Sequence, residues 1–279
     1  MFIASGCGLG SALNPGSVSI GDGVAGDVAD APGQGYQLPR GCGGEVTVKK
    51  NILIVGGSSG VGLALARHYV AEGHRVTITG RADPGCSGAR FHALSVTEDS
   101  SDLITELDRL ARQVGDVQTL IYCAGFLQQG TIASLEDAAL AQMTNVGLLG
   151  PMMLIQRLVR QASGPLKLML ITSSSQYKPQ AGMPAYCATK AGLGMLGAAL
   201  VRGEGIGKVL VVAPSAIRTN FWDGTTEDTS TMLDPGWVAG RIVELSSGAF
   251  KYKYAKLLRS PARVEVVDHL DNAFQPINP

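Results

Sequence analysis

The sequence lacks most of the features that would commit it to a charged partner, a metal or a membrane. Its 23 Lys and Arg are balanced by 23 Asp and Glu, so no net charge draws it to nucleic acid or to an acidic membrane surface. The four histidines, His68, His74, His92 and His269, show no metal-ligand spacing. Five cysteines (Cys7, Cys42, Cys86, Cys123 and Cys187) are odd in number and form no Cys-x-x-Cys pair. That argues against a disulfide framework and for a reducing, cytoplasmic compartment. The longest apolar stretch, Val146 to Ile155, is far shorter than the roughly 20 residues a bilayer requires. No basic start leads into an apolar core at the N-terminus, so a secretory signal is not supported.

Residues 1–47 also lack helical or strand periodicity and are rich in Gly, Ala, Ser, Asp and Pro, a composition that cannot bury enough apolar surface to order itself. Two readings follow, a disordered Gly-rich leader or sequence upstream of the true start. The second is preferred, because Val48-Lys-Lys-Asn-Ile-Leu-Ile-Val-Gly-Gly reads like the beginning of a domain and a valine codon can initiate translation. Gly43-Gly44-Glu45 could in turn be encoded by a purine-rich ribosome-binding site. The remainder, 48–279, has the length of one α/β domain with a substantial core.

What is present alternates. Asn51 to Val55 reads as a buried strand feeding Gly56-Gly57-Ser58-Ser59-Gly60-Val61-Gly62, followed by a helix with Val61, Leu65, Ala66 and Tyr69 on one stripe. Arg75 to Thr79 follows as a second strand. A glycine-rich turn between strand and helix is the setting for a dinucleotide, whose pyrophosphate meets backbone N–H groups and the helix N-terminus. Further strands are expected over Phe91 to Val96, Val117 to Cys123, Leu166 to Ile171 and Val209 to Ala213. Helices are expected over Ser101 to Val114, Leu135 to Arg160 (weakened near Gly147, Gly150 and Pro151), from Pro184, and over Trp237 to Leu245. This order implies a Rossmann-type, doubly wound parallel sheet with helices on both faces. Gly56, Ala124, Ser173 and Pro214 fall at the carboxyl ends of its strands, where such folds bind ligands.

The stretch from Ser173 to Lys190 brings a hydroxyl, a phenol and an ammonium together. A helix from Pro184 places Tyr186 and Lys190 on one face, about 6 Å apart at Cβ. A neighbouring ammonium stabilises a phenolate and lowers its pKa, so the phenol could exchange a proton with a substrate oxygen that the serine holds.

These motifs together resemble the short-chain dehydrogenase/reductase family, in its shorter, non-epimerase branch, over about residues 49–247. The family's Thr-Gly-x-x-x-Gly-x-Gly matches Val55 to Gly62, and its Asn-Asn-Ala-Gly matches Tyr122-Cys123-Ala124-Gly125. Asn145 matches its fourth-helix asparagine, and Ser173, Tyr186 and Lys190 match its Ser, Tyr and Lys. Its Pro-Gly-x-x-x-Thr matches Pro214 to Thr219. By this resemblance Tyr186 is the acid/base, and Lys190 lowers its pKa and contacts the nicotinamide ribose. Ser173 orients the substrate oxygen, and Asn145 holds a proton-relaying water. Ser174 is the alternative to Ser173, and Asn145 read without the resemblance is a polar cap or helix-kink residue.

The implied cofactor set is Gly56, Ser58, Ser59, Gly60, Val61 and Gly62 at the turn, then Arg81, Ser95 and Val96. Cys123, Ala124, Gly125, Tyr186 and Lys190 follow, with Pro214, Ser215, Ile217 and Thr219 closing it. The ribose-binding acid of NAD-preferring members is replaced by Gly80, followed by Arg81, which favours NADP over NAD unless Arg81 is only a solvated loop residue. Ser95 stands for an aspartate near the adenine and Cys123 for a sheet-bracing asparagine. No metal is implied.

The expected activity is NADP(H)-dependent hydride transfer between nicotinamide and a small-molecule carbonyl or secondary alcohol. The alternative is a non-catalytic NAD(P)-binding redox sensor. Glycines along the Tyr186 helix imply close packing, either in a homodimer or homotetramer, as the resemblance suggests, or against the protein's own sheet. The loop Asn220 to Leu233 is the substrate loop by resemblance, with Phe221, Trp222 and Met232 as candidate pocket walls. Lys251 to Arg259 is basic and amphipathic, and Val264 to Val267 is a candidate edge strand.

Overall fold

The computed structural model describes residues 48–271. The expected leader over 1–47, Cys7 and Cys42, and residues 272–279 lie outside the described residues. Eight strands form one sheet: β1 Asn51–Val55, β2 Arg75–Gly80, β3 Ala89–Ala93, β4 Thr119–Tyr122, β5 Leu166–Ile171, β6 Ile206–Pro214, β7 Tyr252–Arg259 and β8 Ala262–Leu270. Their order is β3-β2-β1-β4-β5-β6-β7-β8. Every neighbouring pair is parallel except β7 with β8. The chain therefore reverses direction across the sheet at β1, and the crevice beyond the ends of β1 and β4 is the switch point where such sheets bind ligands.

Six helices cover the two faces: α1 Gly60–Ala71, α2 Ser100–Val114, α3 Asp137–Thr144, α4 Gly150–Gln161, α5 Pro184–Leu200 and α6 Pro235–Ser246. On one face the stripe of α1 (Val61, Leu65, Ala66, Tyr69) joins Val238, Ala239 and Ile242 of α6 over Ile52, Ile54 and Leu210. On the other face Leu103, Leu107 and Leu110 of α2, Leu154 and Leu158 of α4, and Leu193 of α5 cover Leu53, Leu120 and Leu168. Strand residues alternate between the two clusters, as a pleated sheet buried on both sides requires.

The boundaries moved where pairing, rather than apolar character, decides them. The third strand is Ala89–Ala93 and not Phe91 to Val96, because its register with β2 ends at Gly80↔Ala93. The N–H of Leu94 still donates to the Gly80 carbonyl, after which the chain has no strand beside it and turns along the crevice. Likewise β4 is shorter than Val117 to Cys123, and β6 is longer than Val209 to Ala213. The tail from Lys251 becomes β7, and the Val264 to Val267 segment lies within the antiparallel edge strand β8.

The expected break in the long helix is a π turn, Asn145–Leu149, between α3 and α4. The Gly150 N–H donates to the Asn145 carbonyl, and a Cβ at Gly150 would sit 2.6 Å from that same oxygen. Asp137–Gln161 is thus a helical run of 25 residues, long and apolar enough by composition to cross a membrane. Its apolar side chains Leu154, Ile155 and Leu158 lie in the core instead. The glycines of α5 are accounted for within the chain. A Cβ at Gly194 would meet Gln176 at 2.4 Å, and one at Gly197 would meet Val211 at 2.7 Å. Gly197 thus serves close approach to the sheet, and Gly194 close approach to the turn that follows β5. Met195 of the same helix points outward, 70% exposed, as does Met152 of α4 at 38%.

Candidate active site

A cleft of about 360 Å³ runs along the carboxyl ends of the central strands, within the usual range for small-ligand sites. At one end lies the glycine-rich turn. Gly56 has φ +80°, and a Cβ there would meet the Ala124 nitrogen at 2.7 Å. A Cβ at Gly62 would lie 2.1 Å from the Gly56 carbonyl, so only glycine allows α1 to start this close to β1. Helix α1 begins at Gly60 with no side-chain cap on Ser59 and no acid in its first turn. Among the described residues, the N–H groups of Gly60, Val61 and Gly62 have no acceptor, the first paired amide being that of Leu63 to Ser59. Free N–H groups at the positive end of a helix, facing a cleft, fit the pyrophosphate of a dinucleotide.

Next to this turn, a Cβ at Gly80 would come within 2.1 Å of the Ser58 hydroxyl. Position 80 thus has no space for the acid that would grip a ribose diol unless Ser58 moves. Arg81 lines the cleft and is exposed, with no ion pair among the described residues. Ser95 and Val96 line the same wall, and the Val96 carbonyl is held by Gln142 Nε2 at 3.0 Å.

The other end of the cleft holds the proton-handling groups. Ser173 directly follows Thr172, whose hydroxyl and N–H both anchor to the Val212 carbonyl. The hydroxyl of Ser173 accepts the Ser175 N–H at 3.1 Å and lies near enough to the Tyr186 phenol to act on its pKa. Ser174 opens a 3-10 turn and does not line the cleft, whereas Ser173 does. Lys190 is 2% exposed and its Nζ lies 5.6 Å from the Tyr186 ring centre. That ammonium donates to the Ile171 carbonyl at 3.3 Å, with the Ala124 carbonyl at 3.5 Å. Gly125 lies beside it, a Cβ there falling at an ordinary contact distance of 3.5 Å from Nζ.

Burial sets the electrostatics of this pair. It pushes the Tyr186 phenol well above its ordinary value, with the Ser173 hydroxyl opposing, and Lys190 is not among the groups that lower it. The lysine falls to about 8, again through burial, with the Cys123 thiol partly opposing. The expected depression of the phenol by the ammonium is therefore outweighed here by desolvation, because Lys190 points at carbonyls rather than at the phenolic oxygen.

Of the residues expected at the site, all but Asn145 line this one cleft. Asn145 is 3% exposed, and its amide nitrogen donates to the Thr97 and Glu98 carbonyls, each at 3.0 Å, while its Oδ1 accepts from Ser100 at 3.3 Å. Its side chain thus ties the loop after Val96 to the π turn, and its own carbonyl takes the Gly150 N–H. Phe221 packs on Tyr186 with ring centres 5.9 Å apart, and Trp222 packs edge-on to Phe221 at 5.4 Å. Met232, expected beside them, is buried away from the cleft. Sequence reasoning missed Phe126, Gln142, Ile171 and Thr172. The last two were discoverable from their place at the end of β5.

The short chain dehydrogenase family model matches residues 50–230, more than half of the chain. The chain belongs to that family, as an NAD(P)-dependent oxidoreductase acting on CH–OH and C=O groups. It is 26% identical over 221 residues to a 3-oxoacyl-[acyl-carrier-protein] reductase of Mycobacterium tuberculosis, covering 78% of this chain and 83% of that one. It is 29% identical over 177 residues to a cyclic-di-GMP-binding biofilm dispersal mediator protein of Escherichia coli, covering 61% and 74%. A solved short chain dehydrogenase/reductase family protein superposes with a TM-score of 0.65 at 27% identity, covering 74% of this chain and 94% of that one.

The buried ammonium carries a stability cost that can be measured. Because its folded pKa of about 8 lies below the unfolded 10.5, the unfolded chain holds the extra proton between those values. Wild-type stability should therefore gain from Lys190 as pH rises through that window and lose as pH falls through about 8. Lys190→Met is expected to be more stable than wild type at pH 7, on the order of 1–3 kcal/mol by urea unfolding, with the difference shrinking toward pH 10.

Proposed function

We propose that the protein is an NADP(H)-dependent oxidoreductase of carbonyls and secondary alcohols, in which Tyr186 is the acid/base. The observation that carries this reading is that Ser173, Tyr186 and buried Lys190 line the same cleft as the uncapped start of α1. The cofactor, when bound, supplies or accepts the hydride. The glycine-rich turn would hold its pyrophosphate, and Lys190 and Gly125 would border its nicotinamide ribose. Arg81 would pair with a 2′-phosphate where Gly80 leaves no acid to repel it.

In the reducing direction the substrate carbonyl oxygen accepts a hydrogen bond from Ser173 and a proton from Tyr186. Burial keeps the phenol protonated at neutral pH, which suits a proton donor. As negative charge develops on the phenolic oxygen, the Lys190 ammonium offsets it in a dry, low-dielectric site. Oxidation runs the same proton path in reverse. Asn145 serves in this scheme by fixing the Thr97–Ser100 loop and the π turn that flank the cleft, and a water held at its backbone would extend the path to solvent.

The substrate end of the cleft is apolar. Phe126, Phe221 and Trp222 line it beside Tyr186, with Leu135, Met143 and Met183 packed behind them, so a carbonyl carrying an apolar group on one side fits best. Reduction of a 3-oxoacyl group, the activity named for the mycobacterial relative, is of this kind. A turnover-free sensor is the second reading, and the binding role named for the Escherichia coli relative is its support. A serine, a tyrosine and a buried lysine gathered in one cleft favour turnover over sensing. We further propose a cytoplasmic homodimer or homotetramer. The free thiols of Cys86, Cys123 and Cys187 suit a reducing compartment, and exposed Met195 and Met152 suit an interface along α4 and α5.

Three outcomes test these proposals. NADPH oxidation against a panel of ketones, aldehydes and 3-oxoacyl thioesters should give turnover that Tyr186→Phe lowers by at least about 10²-fold without loss of NADPH binding. Its kcat for reduction should fall as pH rises through about 8, where Lys190 loses its proton; cofactor binding without turnover across the panel favours the sensor. Arg81→Asp should weaken NADPH binding by roughly 10-fold or more and leave NADH binding within about 3-fold, and equal effects remove the NADP assignment. Light scattering should show a dimer or tetramer that Met195→Glu dissociates, and a monomeric wild type rules the assembly out.

A further inference from the structure

A second recess, of about 90 Å³, lies at the opposite edge of the sheet, at the amino ends of the strands on the face covered by α1 and α6. Strand parity places Lys167 of β5 and Lys208 of β6 on that face, each two residues before a side chain of the same cluster, Met169 and Leu210. The register sets Lys167 directly opposite Lys208 on one side and Thr119 of β4 on the other. Two ammonium-bearing stems therefore rise from adjacent central strands about 4.8 Å apart. Lys50, just ahead of β1, and His74 line the same recess.

Central parallel strands are ordinarily apolar on both faces, and like charges directly opposite each other destabilise a sheet. The recess has no carboxylate in its wall. Lys208 is satisfied, since its ammonium donates to the Ser246 and Gly248 carbonyls at 2.8 and 2.7 Å. Among the described residues, the ammonium groups of Lys167 and Lys50 have no acceptor and no counter-ion. Their mutual repulsion is felt: Lys167 is lowered by burial and then by Lys50, while Lys208 falls to about 8 through burial, Lys167, Lys253 and Lys50. Glu72 is the carboxylate that reaches this corner, and it acts on His74 and not on the lysines. His74 Nδ1 faces the Lys50 N–H at 3.4 Å, which leaves Nε2 to carry the ring proton.

We propose that this recess is an anion site for a single phosphate-sized oxyanion, held by Lys50, Lys167 and Lys208 with His74 at its rim. The recess has room for several water-sized groups, so it admits a tetrahedral oxyanion. The oxyanion is either free or the terminal group of a phosphomonoester whose remainder stays outside. The site is separate from the cofactor cleft, because the two lie at opposite ends of the same strands.

The test is thermal unfolding and titration calorimetry on the full chain saturated with NADP⁺, which fills the cofactor cleft. Sodium phosphate is compared with sodium chloride at matched ionic strength, for wild type, Lys167→Met and Lys50→Met. At tenfold excess over Kd, phosphate should raise the wild-type Tm by roughly 3–6 °C. Either variant should weaken phosphate binding by at least about 10-fold, and in chloride Lys167→Met should melt no lower than wild type, since it relieves repulsion. A second arm replaces phosphate with adenosine monophosphate. Tighter binding of the ester identifies a phosphomonoester as occupant, and phosphate alone binding identifies the free ion. Equal phosphate shifts in wild type and both variants, or no wild-type shift up to about 20 mM of either ligand, overturn the site. Lys50 lies outside the sheet, so its variant keeps the test open should Lys167→Met fail to fold.

Discussion

The close seat of α5 on the sheet is the constraint on which the site depends. Gly194 and Gly197 let the helix axis approach until a Cβ at either position would overlap Gln176 or Val211. Each interior glycine costs about 1 kcal/mol of helix propensity relative to alanine, and the contact offsets it by burying the helix flank against Leu170 and Val209. On the other side, Gly147 lets the π turn touch Thr189, with the Cβ it lacks predicted to lie 2.8 Å from that side chain. Held between strand and π turn, α5 has no freedom to rotate, so Tyr186 and Lys190 reach the ends of β4 and β5 in one orientation. The hydroxyl of Ser173 meets the phenol there because Thr172 fixes the strand end to β6.

That seat is also what buries the lysine. An ammonium at 2% exposure with only two carbonyl contacts, one of them at 3.5 Å, is poorly compensated, and its pKa falls accordingly. The phenol responds to the same dry surroundings in the opposite sense. Desolvation thus moves the two pKa values apart, the phenol up from its ordinary value and the ammonium down to about 8, so each group is biased toward its neutral form. The phenol therefore holds its proton at neutral pH and is a donor to a substrate oxygen rather than to the lysine.

Much of this was legible in the sequence because the informative positions are those where backbone geometry admits few residue types. Gly56, Gly60 and Gly62 sit where a Cβ would meet backbone or Thr219, so their spacing announces the turn. The four-residue interval of Tyr186 and Lys190 fixes one helix face, and α2 and α6 matched their expected spans to within two residues. The third strand was misplaced because Phe91 to Val96 is apolar for two reasons, pairing at its start and lining the cleft at its end, and apolar character does not distinguish them. Asn145 was placed correctly in the chain, yet its amide serves the Thr97–Ser100 loop, a partner over 40 residues away that no local pattern reveals. The glycines of α5 carried two readings, and contacts within the chain, with Gln176 after β5 and Val211 of β6, account for two of them.

The parallel sheet separates two kinds of charge chemistry by its strand ends. At the carboxyl ends, α1 presents unpaired amides to the cleft, so an anionic ligand there needs few formal charges and Arg81 alone adds one at the rim. At the amino ends, α6 terminates, and its last carbonyls draw Lys208 and Lys253 toward Ser246, Gly248 and Leu245. Two lysines there satisfy a helix C-terminus, as its dipole favours. Lys167 has no such carbonyl, and neither has Lys50. Helix capping therefore explains half of the cations at this edge and leaves the other half facing each other across the central strands. A fold that tolerates that repulsion with no carboxylate among the described residues of the recess wall is the physical ground for assigning a mobile counter-charge to the edge opposite the reaction.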